Sequence, residues 1–134
     1  MLKKIAVTIS VILYAIVVPV LEVNETHVWN PDWTPHVRIH EVWQLITNSC
    51  IGVLCLWLVW YKKETRLSSL LSLLIMGGFL LAFFLKDSYG GSMKYVDGSE
   101  KTILGINIGI LGFGIATLFL VVSHIISKNT HSIV

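Results

Sequence analysis

NETHVWNPDWTPHVRIHEVW, residues 24–43, lies between two apolar runs and resembles neither. It gathers His27, His36 and His40, Trp29, Trp33 and Trp43, Pro31 and Pro35, Arg38, and the carboxylates Glu25, Asp32 and Glu41, with Glu22 just before it. The surrounding chain is 54% hydrophobic and 13% charged, with a mean hydropathy of +0.75. A soluble domain carries about 25% charged residues, so half that share points to lipid as the solvent.

Working outward, four apolar segments stand out at 5–21, 42–61, 67–85 and 102–126. Each reaches the roughly 17–25 residues that a helix needs to cross a hydrocarbon core. Thr34-Pro35 reads as a helix start, with Thr34 as N-cap and Pro35 at the first helical position, where its missing N–H costs nothing. The second helix then runs over 35–61, about 40 Å at 1.5 Å per residue, and its first two turns stand above the hydrocarbon. The expected fold is all-α: one domain over 1–134, a four-transmembrane-helix bundle with helices at about 5–21, 35–61, 67–85 and 102–126. Lys3 and Lys4 before an apolar core resemble a signal peptide. No small-x-small site precedes the polar segment, so the run reads as an uncleaved first helix.

Charge gives orientation. Lys3, Lys4, Lys62, Lys63, Arg66 and Lys128 fall on one side, against Glu64 alone. Arg38, Lys86, Lys94 and Lys101 fall on the other, with Glu22, Glu25, Asp32, Glu41, Asp87, Asp97 and Glu100. The positive-inside rule makes both termini cytoplasmic and puts the histidine-rich segment on the outer side, in a plasma (inner) membrane. Trp29, Trp33, Trp57, Trp60 and Tyr61 suit interfacial belts. A net charge of +2 without a basic cluster excludes nucleic acid as a partner. Cys50 and Cys55 sit inside an apolar run and read as small buried hydrophobes, not as a disulfide framework.

At 100° per residue, His36, His40, Trp43 and Thr47 fall within about 60° of one another, with Gln44 and Asn48 on the adjacent strip. Polar groups in lipid must face the bundle interior or a wet cavity. The stripe is therefore expected to aim inward. Asn107, about one and a half turns into the fourth helix, would share the floor with Asn48. The expected ligand pocket comprises His27, Asn30, His36, Arg38, His40, Gln44, Asn48 and Asn107. His36 and His40, at i and i+4, suit one divalent metal ion, with His27 as third ligand and an oxygen from Glu22, Glu25 or Asp32. The competing reading has these histidines bonding carbonyls and carboxylates that seal the loop over the bundle. Arg38 opposes the helix dipole in the first turn. It calls either for Glu41 at i+3 or for an anion such as a lipid phosphate or substrate carboxylate. Asn30 and Asp32 bond the Pro31 turn locally. Tyr89-Gly90-Gly91-Ser92 serves as a lid or as a simple turn. Gly105, Gly109, Gly112 and Gly114, with one GxxxG, form a small-residue face for packing within the bundle or for a homo- or hetero-oligomer. His124 reads as packing or interfacial, and His131 as a tail residue without a role.

Thr26, His27, Asn30, Pro31, Trp33, Pro35, His36, Arg38, His40 and Trp43 spell T-H-x-x-N-P-x-W-x-P-H-x-R-x-H-x-x-W. Together with Gly77-Gly78-Phe79, Tyr89-Gly90-Gly91 and LGINIG at 104–109, this resembles a family of small four-helix integral membrane proteins of unknown function. The resemblance implies the four-helix topology and a special role for the outer segment. It implies no activity.

Three function classes remain. The first is a pocket protein that binds a lipid or other small ligand, through a metal ion or without one. The second is a small enzyme acting on an apolar substrate at the outer leaflet, with His36 and His40 as acid/base groups or metal ligands. The third is an accessory subunit of a membrane complex. A transport role is weaker, since the inner halves of the helices carry no charge for a relay.

Overall fold

The structure is a computed structural model describing residues 1–95 and 97–129, with side chains through 126; His131 lies outside the described residues. Four helices are long and apolar enough to cross a membrane. They are α1 (Leu2–Glu22), α2 (Pro35–Trp57, continued by a π-helical turn at Leu58–Lys62), α3 (Thr65–Tyr89) and α4 (Ile108–Asn129). Their outer faces carry Ile9, Ile16, Val53, Leu74, Leu81, Phe84, Ile115 and Leu118, all exposed, a pattern that suits helices crossing a membrane.

Local chemistry explains the boundaries. Thr34 Oγ1 accepts the Val37 N–H at 3.3 Å and Pro35 opens α2. Lys63 and Gly90, both in the left-handed region, end α2 and α3, and the Gly91 N–H closes the second cap on the Lys86 carbonyl at 2.7 Å. The fourth helix begins at Ile108, not at 102. Residues 102–107 instead form a hairpin: β1 (Thr102–Ile103) pairs antiparallel with β2 (Ile106–Asn107). Its two loop residues, Leu104 and Gly105, have φ of 53° and 78°, both positive as in a type I′ turn. Hydropathy counts this run as helix because its side chains are apolar, yet the turn breaks the helix before it starts. Gly105 therefore leaves the helical glycine face, and the GxxxG does not exist as a helical motif. Gly112 packs against Leu13 and Gly109 against Phe79, both within the bundle, while the Gly114 position is open.

α1 packs against all three other helices, and α3 against α2 and α4. A Cβ at Gly52 would lie 2.5 Å from Ala15 Cβ and 3.1 Å from Val11 Cγ1, so only glycine permits this approach of α2 to α1. One turn earlier, Ser49 donates to the Ala15 carbonyl at 3.1 Å. That carbonyl lies four residues before Pro19, which has no N–H to offer it. The π-helical turn Leu13–Val17 absorbs the resulting irregularity.

The core is Ala6, Val7, Val11, Tyr14, Cys55, Val59, Met76, Phe113, Ala116 and Leu120. It is concentrated toward the end of the bundle that holds the N-terminus. Buried serines line that end and return their hydroxyls to their own helices: Ser10 to Ala6, Ser68 to Glu64, Ser69 to Thr65 and Ser123 to Leu120. Small side chains let helices approach, and local acceptors remove the cost of their hydroxyls. Lys4 and Lys62 sit over the Trp60 and Trp57 rings at 5.2 and 5.0 Å. Cys55 is buried, but Cys50 is exposed, a correction to the expectation that both are interior.

Candidate functional site

The opposite end of the bundle is not filled. A cavity of about 490 Å³ opens there. Leu13, Val17, Ile75, Phe79 and Phe113 wall its apolar depth, with Tyr14 beside them, its hydroxyl 3.4 Å from Ser72 Oγ. Gln44, Asn48 and Asn107 line it, with Glu22, His27 and Glu41, and so do Ser92, Met93, Lys94, Tyr95 and Lys101 from the α3–α4 connection. That connection thus forms part of the wall, following the Gly90 turn.

Of the residues expected to form a pocket, His27, Gln44, Asn48 and Asn107 meet around this cavity, and the other four do not. His36 and His40 are exposed, as is Trp43 at 65%. The stripe expected to aim inward thus points out, and the adjacent strip of Glu41, Gln44, Leu45 and Asn48 faces the cavity instead, about 120° around the helix. The Gly52–Ala15 contact sets this rotation. His36 and His40 meet each other, Nε2 to Nε2 at 3.1 Å, while His27 joins Glu22. The set of three histidines expected to share a metal ion is not assembled, and no group of three or more His, Cys, Asp or Glu placed for a metal exists among the described residues.

Asn30 is a loop staple. Its Nδ2 donates to the Thr26 carbonyl at 3.1 Å and its Oδ1 accepts the Asp32 N–H at 2.9 Å. Arg38 reaches back to the Pro31 carbonyl at 3.5 Å, and its buried Nε has no hydrogen-bond partner among the described residues. The expected Arg38–Glu41 pair does not form, because Glu41 turns to the cavity. Asn107 precedes α4 and caps it, Oδ1 accepting from the Gly109 and Ile110 N–H groups at 2.8 and 3.4 Å.

The protonation of His27 follows from its neighbours. Asn24 commits its Nδ2 to the Leu21 carbonyl, so its Oδ1 accepts from Thr26, whose hydroxyl lies 2.7 Å away. Thr26 has one hydroxyl hydrogen, and Asn24 takes it. The 2.8 Å contact between Thr26 Oγ1 and His27 Nδ1 therefore has His27 Nδ1–H as donor. His27 Nε2 stands 2.9 Å from Glu22 Oε2, within hydrogen-bond distance. Burial pushes the His27 imidazole below the usual histidine range; the nearby Glu41 charge pulls it up and Lys101 pushes it down again. Trp33 and Tyr95 pack edge-on to the ring at 5.7 and 6.2 Å. The arrangement is a positioned acid–base pair at the mouth of an apolar cavity.

Glu22 and Glu41 carry sequence signals that were legible, since each is a carboxylate at the end of an apolar run. Tyr95 and Lys101 carried none, because only the tertiary fold brings their loop to the mouth. Fold and cavity together define a small four-helix protein, with helices suited to a membrane, closed at one end and open at the other. No family model, curated protein or solved structure matches the chain.

Proposed function

We propose that this is an integral membrane protein that holds an apolar or amphiphilic small ligand, drawn from the membrane lipids, in the cavity between its helices. The observation that carries this reading is the cavity's division into an apolar depth and a polar mouth. Its size falls within the roughly 300–1,000 Å³ of small-molecule sites. The charge distribution orients the chain with both termini cytoplasmic and the mouth on the outer side of a plasma (inner) membrane. Likeness to the four-helix family belongs to the same proposal: Asn30 and Arg38 of its motif brace the loop that carries His27.

Gly78 lines the cavity, and its Cβ position is open, so Gly78→Phe fills the space. Lipid extracts of purified protein, compared by mass spectrometry with bulk membrane lipid, are expected to show a species enriched in the wild type and depleted in Gly78→Phe. Identical profiles sink the proposal. Sidedness is tested by Asp97→Cys in a Cys50→Ser background. An impermeant thiol reagent should label it in intact cells, and protection would reverse the orientation.

A second reading, a small membrane enzyme, is favoured by one observation: the 2.9 Å contact between His27 Nε2 and Glu22 Oε2 at the cavity mouth. In this reading that pair supplies the acid and base that the sequence had suggested at His36 and His40.

A further inference from the structure

The cavity's dimensions and lining narrow the class of ligand. A volume of about 490 Å³ lies in the lower half of the roughly 300–1,000 Å³ range of small-molecule sites, a size that suits a single-chain amphiphile. The depth is walled by Leu13, Val17, Ile75 and Phe79 and carries no charge. All charge lies at the mouth: Glu22 from α1, His27 from the α1–α2 loop, Glu41 from α2, and Lys94 and Lys101 from the α3–α4 connection. α3 and α4 present none.

Glu41 decides the head group. It is half-buried, faces the cavity, and its carboxylate has no hydrogen bond or ion pair among the described residues. None of the cations around it forms an ion pair with it, and Lys94, which also lines the mouth, makes no ion pair among the described residues. Arg38 reaches to the Pro31 carbonyl, and Lys101 Nζ lies over the Tyr95 ring at 5.5 Å. Glu22 is occupied by His27. A partly desolvated carboxylate without a partner is costly unless a cation joins it. A second observation points to the same occupant space. Asn107 is 8% exposed and lines the cavity, and with its Oδ1 taken by the α4 cap its Nδ2 has no partner among the described residues. That N–H₂ suits a hydroxyl or carbonyl oxygen next to a charged head.

We propose that the occupant is a single-chain amphiphile with a protonated amine at its polar end, the ammonium seated on Glu41 beside the Glu22–His27 pair and the chain lying in the apolar depth. This rests on the pocket reading above and names its ligand class. A neutral alcohol of equal chain length makes the apolar contacts without the ion pair, and a fatty acid cannot pair with Glu41 and must seat its carboxylate away from it, toward Lys94 or Lys101.

The test uses purified full-length protein in a non-ionic detergent, titrated with dodecylamine, dodecanol and dodecanoic acid while the thermal unfolding midpoint is followed. A saturable rise is expected with dodecylamine, at least tenfold tighter than with dodecanol or with dodecanoic acid. Gly78→Phe should abolish these responses. Glu41→Gln should weaken dodecylamine to the level of dodecanol and leave dodecanol unchanged. Dodecanol or dodecanoic acid binding the wild type as tightly as dodecylamine overturns the amine assignment and leaves the pocket standing. Absence of a saturable response to all three, or responses undiminished by Gly78→Phe, overturns the pocket and the assignment with it. The three-ligand comparison needs only wild-type protein, so it decides even where Glu41→Gln fails to fold.

Discussion

The two ends of the bundle solve opposite problems with the same four helices. At the closed end, Ala6, Ser10, Cys55, Ser68, Ser72, Ala116 and Ser123 are all buried, and their small size lets the helices meet. At the open end, Glu22, Glu41, Gln44, Asn48 and Asn107 replace them, and 490 Å³ is left between the helices. The boundary falls where Gly52 and Ser49 of α2 meet Ala15 of α1, beside the π-helical turn that precedes Pro19. The difference teaches that a membrane bundle is packed by small residues and opened by polar ones. Hydrophobicity does little to tell the ends apart, since the lipid outside is as apolar as the side chains within.

The largest effect is expected at the boundary. Gly52→Leu drives a side chain into Ala15 and Val11, and overpacking of this kind costs about 1–3 kcal/mol. Thermal unfolding in detergent should show the loss, and an unchanged midpoint would mean the α1–α2 contact is looser than described. Next comes Asn107→Ala, which removes the cap of α4 at a cost of about 1 kcal/mol while also taking a donor from the cavity. Here stability and ligand retention should fall together.

Acid should act on the open end through His27. Because His27 is held below its usual range in the folded protein, the unfolded chain takes up a proton first as pH falls through about 6.5. His27 should therefore contribute a loss of stability as pH falls through about 6.5, and His27→Gln should remove that contribution. Identical slopes for wild type and His27→Gln through about pH 6.5 would contradict the His27 environment. The smallest stability change belongs to Gly78→Phe, expected within about 0.5 kcal/mol of wild type because its ring enters space that no side chain fills. A large loss there would show that the open end is packed after all.

How much of this was legible in the sequence differs by residue. The Thr34-Pro35 start of α2 is a local matter of one hydroxyl and one missing N–H, and it reads directly. Leu104-Gly105 does not, since an apolar residue with positive φ gives no hydropathic warning of a turn. His27, Gln44, Asn48 and Asn107 were singled out as polar groups in an apolar chain, and the fold gathers them at the cavity. His36 and His40 were singled out by the same logic and point away.

Length and composition by themselves determined four helices able to cross a membrane, because the apolar length of a segment is a property of that segment alone. Tertiary structure decided which face of each helix turns inward. Rotation about a helix axis is set by contacts between helices, here Gly52 against Ala15 and Ser49 on the Ala15 carbonyl. A shift of about 120° in that rotation is what separates an outward pair of histidines from a cavity with Glu41 at its mouth.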